Sequence, residues 1–246
     1  MLTVPAADEH WYVRTDDGIV PHSKYTGPVP QPGKIYASVT TIIGGGIPKP
    51  FPYLKWLGNY TSYDDAMAYT MKRANEGTNV HGAMEFMTIN PEKELNRDGY
   101  SGVEWDMIWG LFRGLQAIGV KEIDPQFVEK VLWDDDDRTA GTADLRVCIN
   151  GEWWLIDYKT SKMIKIEHKI QVMKYGTMYR KMGFPIDRVC VLRSAESQKG
   201  YDMWVGDIRD DHLQAFENAR QMFWFLNPKA GPRMKEIPAL LSLSLI

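Results

Sequence analysis

The sequence predicts an α/β or α+β domain built on a mixed β-sheet. Helical periodicity fills most of residues 52–118, and three strand-like segments follow in close succession between residues 125 and 160. A helix, two more strands and a last helix complete the chain, and that order calls for a sheet with helices packed on it. With 246 residues, 44% of them hydrophobic and 12% aromatic, the chain is long enough to bury one sizeable core.

Residues 1–36, which include "TGPVPQPGKIY", are rich in Pro, Gly and charge and read as an irregular arm or short hairpin with no independent fold. "ASVTTII" (37–43) is a short β-branched run stopped by "GGGIPKP". A helical pattern spans about 52–88 and places Gly77, His81 and Glu85 four apart on one face. A second helix over 101–118 carries Val103, Met107, Leu111 and Leu115 as an apolar stripe and ends at Gly119. "PQFVEKVLW" (125–133), "GTADLRVCI" (141–149) and "WWLIDYKT" (153–160) read as strands, and Asn150-Gly151 is a two-residue hairpin turn. A helix over 165–182 with Ile166, Ile170, Met173 and Thr177 as its stripe, strands at 188–195 and 200–208, and a helix at 210–225 follow. The expected organisation is an arm (1–36) and one domain (37–246): a helical cap (37–120), a core (121–208), and a C-terminal helix and tail (209–246).

Composition excludes several classes. The first thirty residues hold Asp8, Glu9, Asp16 and Asp17 without a continuous apolar stretch, unlike a secretory or organellar leader. No window approaches the roughly 20 apolar residues of a membrane span. A soluble, cytoplasmic protein is expected, in the host cytoplasm if phage-encoded. Cys148 and Cys190 cannot supply the four thiolates of an iron–sulfur cluster, and both read as core residues. The net charge is −3, yet residues 159–193 carry nine Lys/Arg against Glu167 and Asp187, a local +7 that leaves −10 elsewhere. Such a belt fits a polyanion held at one site, or a solvated helix face. "DDDD" (134–137) reads as a solvated turn. Trp56, Trp153 and Trp204 are candidates for stacking on unpaired bases.

The chemistry concentrates in two adjacent strands. The Asn150-Gly151 turn places Asp144 opposite or diagonal to Asp157, and Lys159 shares the Asp157 face. Two carboxylates that close repel strongly unless a cation lies between them. Hard Mg²⁺ or Mn²⁺ suits carboxylates, water and phosphate oxygens, and an imidazole such as His81 tilts the choice toward Mn²⁺. The implied reaction is phosphodiester hydrolysis, with Lys159 positioning the nucleophile or stabilising the pentavalent state.

"GTAD" followed by "DYK", with "SVTTII" and "GTNVH" upstream and "QVMKY" downstream, resembles the PD-(D/E)XK nucleases and, within them, the RecB-like branch. The resemblance runs from about residue 37 to 208 and is strongest toward phage-encoded and mitochondrial genome-maintenance exonucleases. It implies a restriction-endonuclease-like core, a central mixed sheet flanked by helices, with the helical segment as a cap. It further implies His81, Asp144, Asp157 and the Tyr158 backbone carbonyl as metal ligands and Lys159 as the catalytic lysine. Glu129 and Glu85 are expected as accessory acids, and Gln171, Tyr175, Lys162 and Lys174 as substrate contacts. The implied cofactor is Mg²⁺ or Mn²⁺ with no iron–sulfur cluster. The implied substrate is single-stranded DNA or duplex ends, in replication, recombination or repair. A structure-specific endonuclease of the same fold and a non-catalytic DNA-binding or partner-binding module are the alternatives. No Walker phosphate loop is present, so unwinding would fall to a helicase partner; a single-strand-binding or recombinase partner and an oligomer are compatible with the resemblance, and a membrane partner is not expected.

Overall fold

A computed structural model describes residues 10–49, 51–194 and 200–232. Its strands are β1 (Trp11–Thr15), β2 (Gly18–Pro21), β3 (Ile35–Ser38), β4 (Val128–Asp134), β5 (Thr139–Ile149), β6 (Glu152–Lys159), β7 (Arg188–Arg193) and β8 (Asp202–Gly206). Its α-helices are α1 (Val39–Gly46), α2 (Phe51–Leu57), α3 (Tyr63–Ile89), α4 (Gly102–Ile118), α5 (Ile166–Lys181) and α6 (Asp210–Leu226). The strands join in one sheet of order β2-β1-β3-β5-β6-β7-β8, with β4 also paired to β5. The pairs β3–β5 and β6–β7 are parallel and the others antiparallel, so the sheet is mixed as expected.

Two apolar layers sandwich the sheet. On one face Val39, Ile42, Met173, Tyr175, Met178, Phe216 and Phe223, from α1, α5 and α6, pack on Leu155, Val189 and Val191. On the other, Val80, Met84, Met107 and Leu111, from α3 and α4, pack on Leu145, Val147, Ile156 and Leu192. Each fully buried Leu or Ile among them contributes roughly 2 kcal/mol by leaving water. The predicted stripe of α4 is the one that packs: Met107, Leu111 and Leu115 are buried, and Gly114 lies so close to Leu192 that a methyl group there would collide with it. Its ends follow the sequence signals, with a Ser101/Glu104 capping box and Gly119 in the left-handed region at φ +88°.

Several expectations are corrected. Of the two readings of residues 1–36, the short hairpin is the one observed, in β1 and β2, and what the sequence does not anticipate is that β3 joins it to the central sheet through Ala37–Thr139 and Ser38–Ala140. "ASVTTII" is a strand only as far as Ser38, whose hydroxyl accepts the Thr41 N–H at 2.9 Å and starts α1. Tertiary packing of Ile42 and Ile43 overrides the β-branched preference. Helix α5 buries far more than the predicted stripe, including Gln171, Lys174 and Tyr175, whereas Ile166 is exposed. Cys148 is exposed and only Cys190 is buried; both are free thiols. The predicted strand end at Ala195 and the C-terminal tail beyond 232 lie outside the described residues.

The acidic run is a turn as expected, with Asp135 and Asp136 exposed, but its first residue is not solvated. Asp134 is buried and accepts from Lys174 Nζ at 2.8 Å and Lys181 Nζ at 2.7 Å. Asp137 pairs with the same Lys174 at 2.5 Å, and Asp135 accepts from Tyr36 Oη at 2.6 Å and Arg14 Nε at 3.2 Å. The run is a fastener that ties α5 and the N-terminal hairpin to the end of β4.

Candidate metal centre

Strand β5 is longer than its neighbours and has three of them. Along one edge it pairs with β4 from Thr139 to Leu145. Along the other it pairs with β6 from Leu145 to Ile149, and with β3 only at Thr139 and Ala140. Thr142, Ala143 and Asp144 therefore border a fork where β6 and β3 part. The Tyr158 amide, which would otherwise lack a strand partner there, donates to Asp144 Oδ2 at 2.5 Å. In an extended residue N–H and C=O project to the same side, so the Tyr158 carbonyl also opens toward the fork.

The registers line up the acids. The β4–β5 pairing runs without insertion from Val128–Leu145 to Lys130–Ala143, which sets Glu129 across from Asp144. The β5–β6 pairing ends at Leu145–Ile156, and one residue further come Asp144 and Asp157. Glu129 interrupts its ladder with φ +46°, a left-handed conformation that costs a glutamate roughly 1–3 kcal/mol. Three carboxylates thus form a row across three strands, and strain is accepted at one of them.

His81 reaches this row from α3, the helix packed above it. Its Nδ1 lies 3.5 Å from Asp144 Oδ1. Among the described residues, one ligand atom each from His81, Glu129 and Asp144 lies within 4.8 Å of the other two. The sequence placed Glu129 as an accessory acid; in the structure it is the third member of the cluster. Asp157 stands next in the row, 2% exposed, with Oδ2 at 2.5 Å from Lys159 Nζ and Oδ1 accepting from Gln171 Nε2 at 3.2 Å. Gln171 also lies 3.4 Å from Tyr175 Oη. The Tyr175 ring fits because residue 141 is glycine: a Cβ there would sit 2.5 Å from the ring.

A cleft of about 440 Å³ opens onto the cluster, lined by Gly77, Thr78, His81, Gly82, Glu85 and Glu129. The four-residue spacing of Gly77, His81 and Glu85 read from the sequence therefore describes one wall of it. Lys162 is exposed nearby in chain, on the loop after β6. Lys174 is elsewhere: it is 6% exposed and consumed by Asp134 and Asp137, so the structure offers no ammonium at that position for a substrate. Much of the basic belt is likewise spent internally, with Arg180 on the Ile186 carbonyl, Arg188 on Asp207, and Arg193 on the Ser161 and Lys162 carbonyls. Of the stacking candidates, Trp153 lies under the Arg146 guanidinium at 3.7 Å and Trp204 under Lys169 at 4.8 Å, which leaves Trp56. His168 was not singled out from the sequence. Its Nδ1 accepts the Lys165 N–H, and burial together with Lys159 and Lys165 drives its pKa down to about 3, so it is a neutral imidazole one turn before Gln171.

Electrostatics fit a cation. Burial, reinforced by Asp144, Glu85 and Asp157 against a lowering by His81, pushes Glu129 up to about 8. Burial also raises Asp157, to about 6, although Lys159 pulls the other way. Asp144 is different: burial pushes it up, but His81, Lys159 and the Tyr158 amide outweigh that and hold it below the usual carboxylate range. Hard carboxylates with one imidazole form the donor set expected for Mn²⁺ or Mg²⁺.

The fold and site define a mixed α/β domain with an acid–histidine cluster at a sheet fork. No family model and no curated protein matches the chain. Among solved structures, the crystal structure of SSO0001 is 17% identical over 35% of this chain, with a TM-score of 0.29, and the chain spans about two fifths of its length (41%). A "Putative exonuclease" from Eubacterium rectale is 12% identical over 86% of this chain and 91% of its own, with a TM-score of 0.43. At these scores neither likeness defines an activity. No helix among the described residues is long and apolar enough to cross a membrane.

Proposed function

We propose that the protein is a divalent-metal-dependent deoxyribonuclease of the PD-(D/E)XK kind, an exonuclease working on DNA ends or single strands in recombination, replication or repair. The observation that carries the reading is the convergence, at one fork, of His81, Glu129 and Asp144 with the Asp157–Lys159 pair. A salt bridge alone would not require the neighbouring cluster, and a structural cluster alone would not require the lysine.

His81, Glu129 and Asp144 would hold the metal, with Asp157 and the Tyr158 carbonyl as further ligands. Bound there, Mg²⁺ or Mn²⁺ supplies an acidified water and neutralises charge growing on the phosphate. Asp144 stays anionic because His81, Lys159 and the Tyr158 amide favour its charged form. Gln171 fixes one oxygen of Asp157, which keeps the other toward Lys159. Lys159 then presents its ammonium beside the row, where it positions the attacking water or bonds to a phosphate oxygen as negative charge accumulates. Lys162, which is exposed, is assigned to the substrate side; Gln171 and Tyr175 are buried and act through Asp157, and Lys174 is spent on Asp134 and Asp137.

The test compares end-labelled linear DNA with covalently closed single-stranded circles in Mn²⁺, Mg²⁺ or EDTA, beside Asp157→Ala. Metal-dependent loss of the linear DNA with the circle spared and the variant inert is the expected result. Cutting of the circle would make the protein an endonuclease. An unaltered linear substrate in every metal would overturn the catalytic reading.

A further inference from the structure

Helix α2 and the first half of α3 form a projection that belongs to neither main core: none of the residues from 51 to 79 is a member of the clusters that sandwich the sheet. Its base is tied to α4 by Arg73 at Met107 and Asn79 at Glu104, and its outer part is held by its own rings. Trp56 stacks on Tyr53 at 5.6 Å between centroids, meets Tyr60 edge-on at 4.9 Å and leans on Tyr69 at 6.2 Å. Tyr60 and Tyr69 lie 5.9 Å apart, and Ala66 is fully buried on α3. Yet α2 has no buried residue, and Phe51, Leu54 and Tyr63 are 76%, 55% and 50% exposed. That much exposed aromatic surface on a short amphipathic projection is costly unless something covers it.

Composition indicates what. Residues 49–63 contain five aromatics (Phe51, Tyr53, Trp56, Tyr60 and Tyr63), two lysines (Lys49 and Lys55) and no acid, in a chain whose net charge is −3. The Lys49 ammonium lies 6.0 Å from the Tyr53 ring centroid. Asp64 and Asp65 follow, but they sit in the first turn of α3, where they answer the helix N-terminus. The Lys72 side chain is 74% exposed, with its ammonium 3.9 Å from Glu76. Rings interleaved with lysines offer π-faces to bases and charge to phosphates, whereas a duplex keeps its base faces covered. Tyr69 and His81 are twelve residues apart on α3, about 18 Å along its axis and about 120° around it, with Gly77 and Thr78 of the cleft wall between them in sequence.

We infer that this aromatic projection is a binding platform for single-stranded nucleic acid, on which unpaired bases stack between the incoming strand and the metal cluster. The inference rests on the proposed nuclease reading for its direction toward the cleft, and the experiment separates the two. Full-length protein in EDTA is titrated with fluorescein-labelled dT20 and with a 20-base-pair duplex. Alongside, hydrolysis of the p-nitrophenyl ester of thymidine 5′-monophosphate in Mn²⁺ reports the cleft alone. Trp56→Ala and the doubly exposed pair Phe51→Ser/Tyr63→Ser, which cannot unfold a core, are compared with Asp157→Ala.

The wild type should prefer dT20, and each platform variant should lose about tenfold or more in dT20 affinity while ester hydrolysis changes less than twofold. Asp157→Ala should do the reverse. Unchanged dT20 affinity in both platform variants, a preference for duplex, or a change in sedimentation showing that the rings join two copies of the chain would overturn the platform and leave the nuclease standing. Platform-dependent binding without any ester or DNA hydrolysis would overturn the nuclease and leave the platform.

Discussion

Glu129→Gln isolates the electrostatic cost of the acid–histidine cluster. The carboxyl has an ordinary pKa of 4.5 and sits at about 8 in the folded protein without metal. Between those values the folded state holds a proton that the unfolded state has lost, so stability falls as pH rises through this window and levels off above it. Each pH unit across the shift is worth about 1.4 kcal/mol. The residue therefore costs about 1 kcal/mol at pH 5, about 3 at pH 7 and between 4 and 5 by pH 8.5, as orders of magnitude. Glutamine imitates the neutral acid, so the variant in EDTA should be more stable than the wild type by about those amounts. With Mn²⁺ the order should invert at neutral pH, because the wild type gains binding energy and the variant has lost a charged ligand. Urea denaturation at the three pH values, with EDTA or Mn²⁺, measures both. A variant with the same pH slope as the wild type in EDTA would refute the placement of Glu129 in the acidic row.

Three further outcomes are expected. Lys159→Ala should lower DNA cleavage by at least ~100-fold and also reduce stability by a few kcal/mol, because it strands a buried Asp157; single-turnover cleavage and urea melts read the two effects, and an active variant would remove the assigned mechanism. Lys174→Met should cost about 1–3 kcal/mol by removing the ammonium from Asp137 and leaving Asp134 to Lys181 alone, yet leave DNA affinity within twofold, so a selective loss of binding with normal stability would restore Lys174 to the substrate side. Gly141→Ala should drive a methyl group into the Tyr175 ring, lowering the melting temperature by an amount equivalent to about 1–3 kcal/mol and loosening Gln171; a melt indistinguishable from wild type would show that the ring has room to move.

What the sequence made legible followed from local rules. Asp144 and Asp157 were placed together because a two-residue turn fixes register, and the observed pairing of Ile149 with Glu152 agrees. His81 and Glu85 were read from helical spacing. The larger role of Glu129 was out of reach, since it depends on the register across the acidic turn and on a left-handed backbone at one glutamate. Lys174 was misassigned because a charge count cannot see that its partners lie 37 and 40 residues away. Likewise nothing local distinguishes Trp56, whose ring belongs to an outlying cluster, from Trp153 and Trp204, which are occupied by cations within the fold.

The hydrogen bond from the Tyr158 amide to Asp144 gives that residue two employments. It is a buried acid of the His81–Glu129 cluster and also a substitute for the strand that β6 lacks at the fork. Under the proposed function, a substitution at position 144 would remove a metal ligand and the sheet junction together, which makes it a poor choice for an inert control. Asp157→Asn spares that junction: the amide oxygen can still accept from Gln171, while its NH2 then faces the Lys159 ammonium, donor to donor.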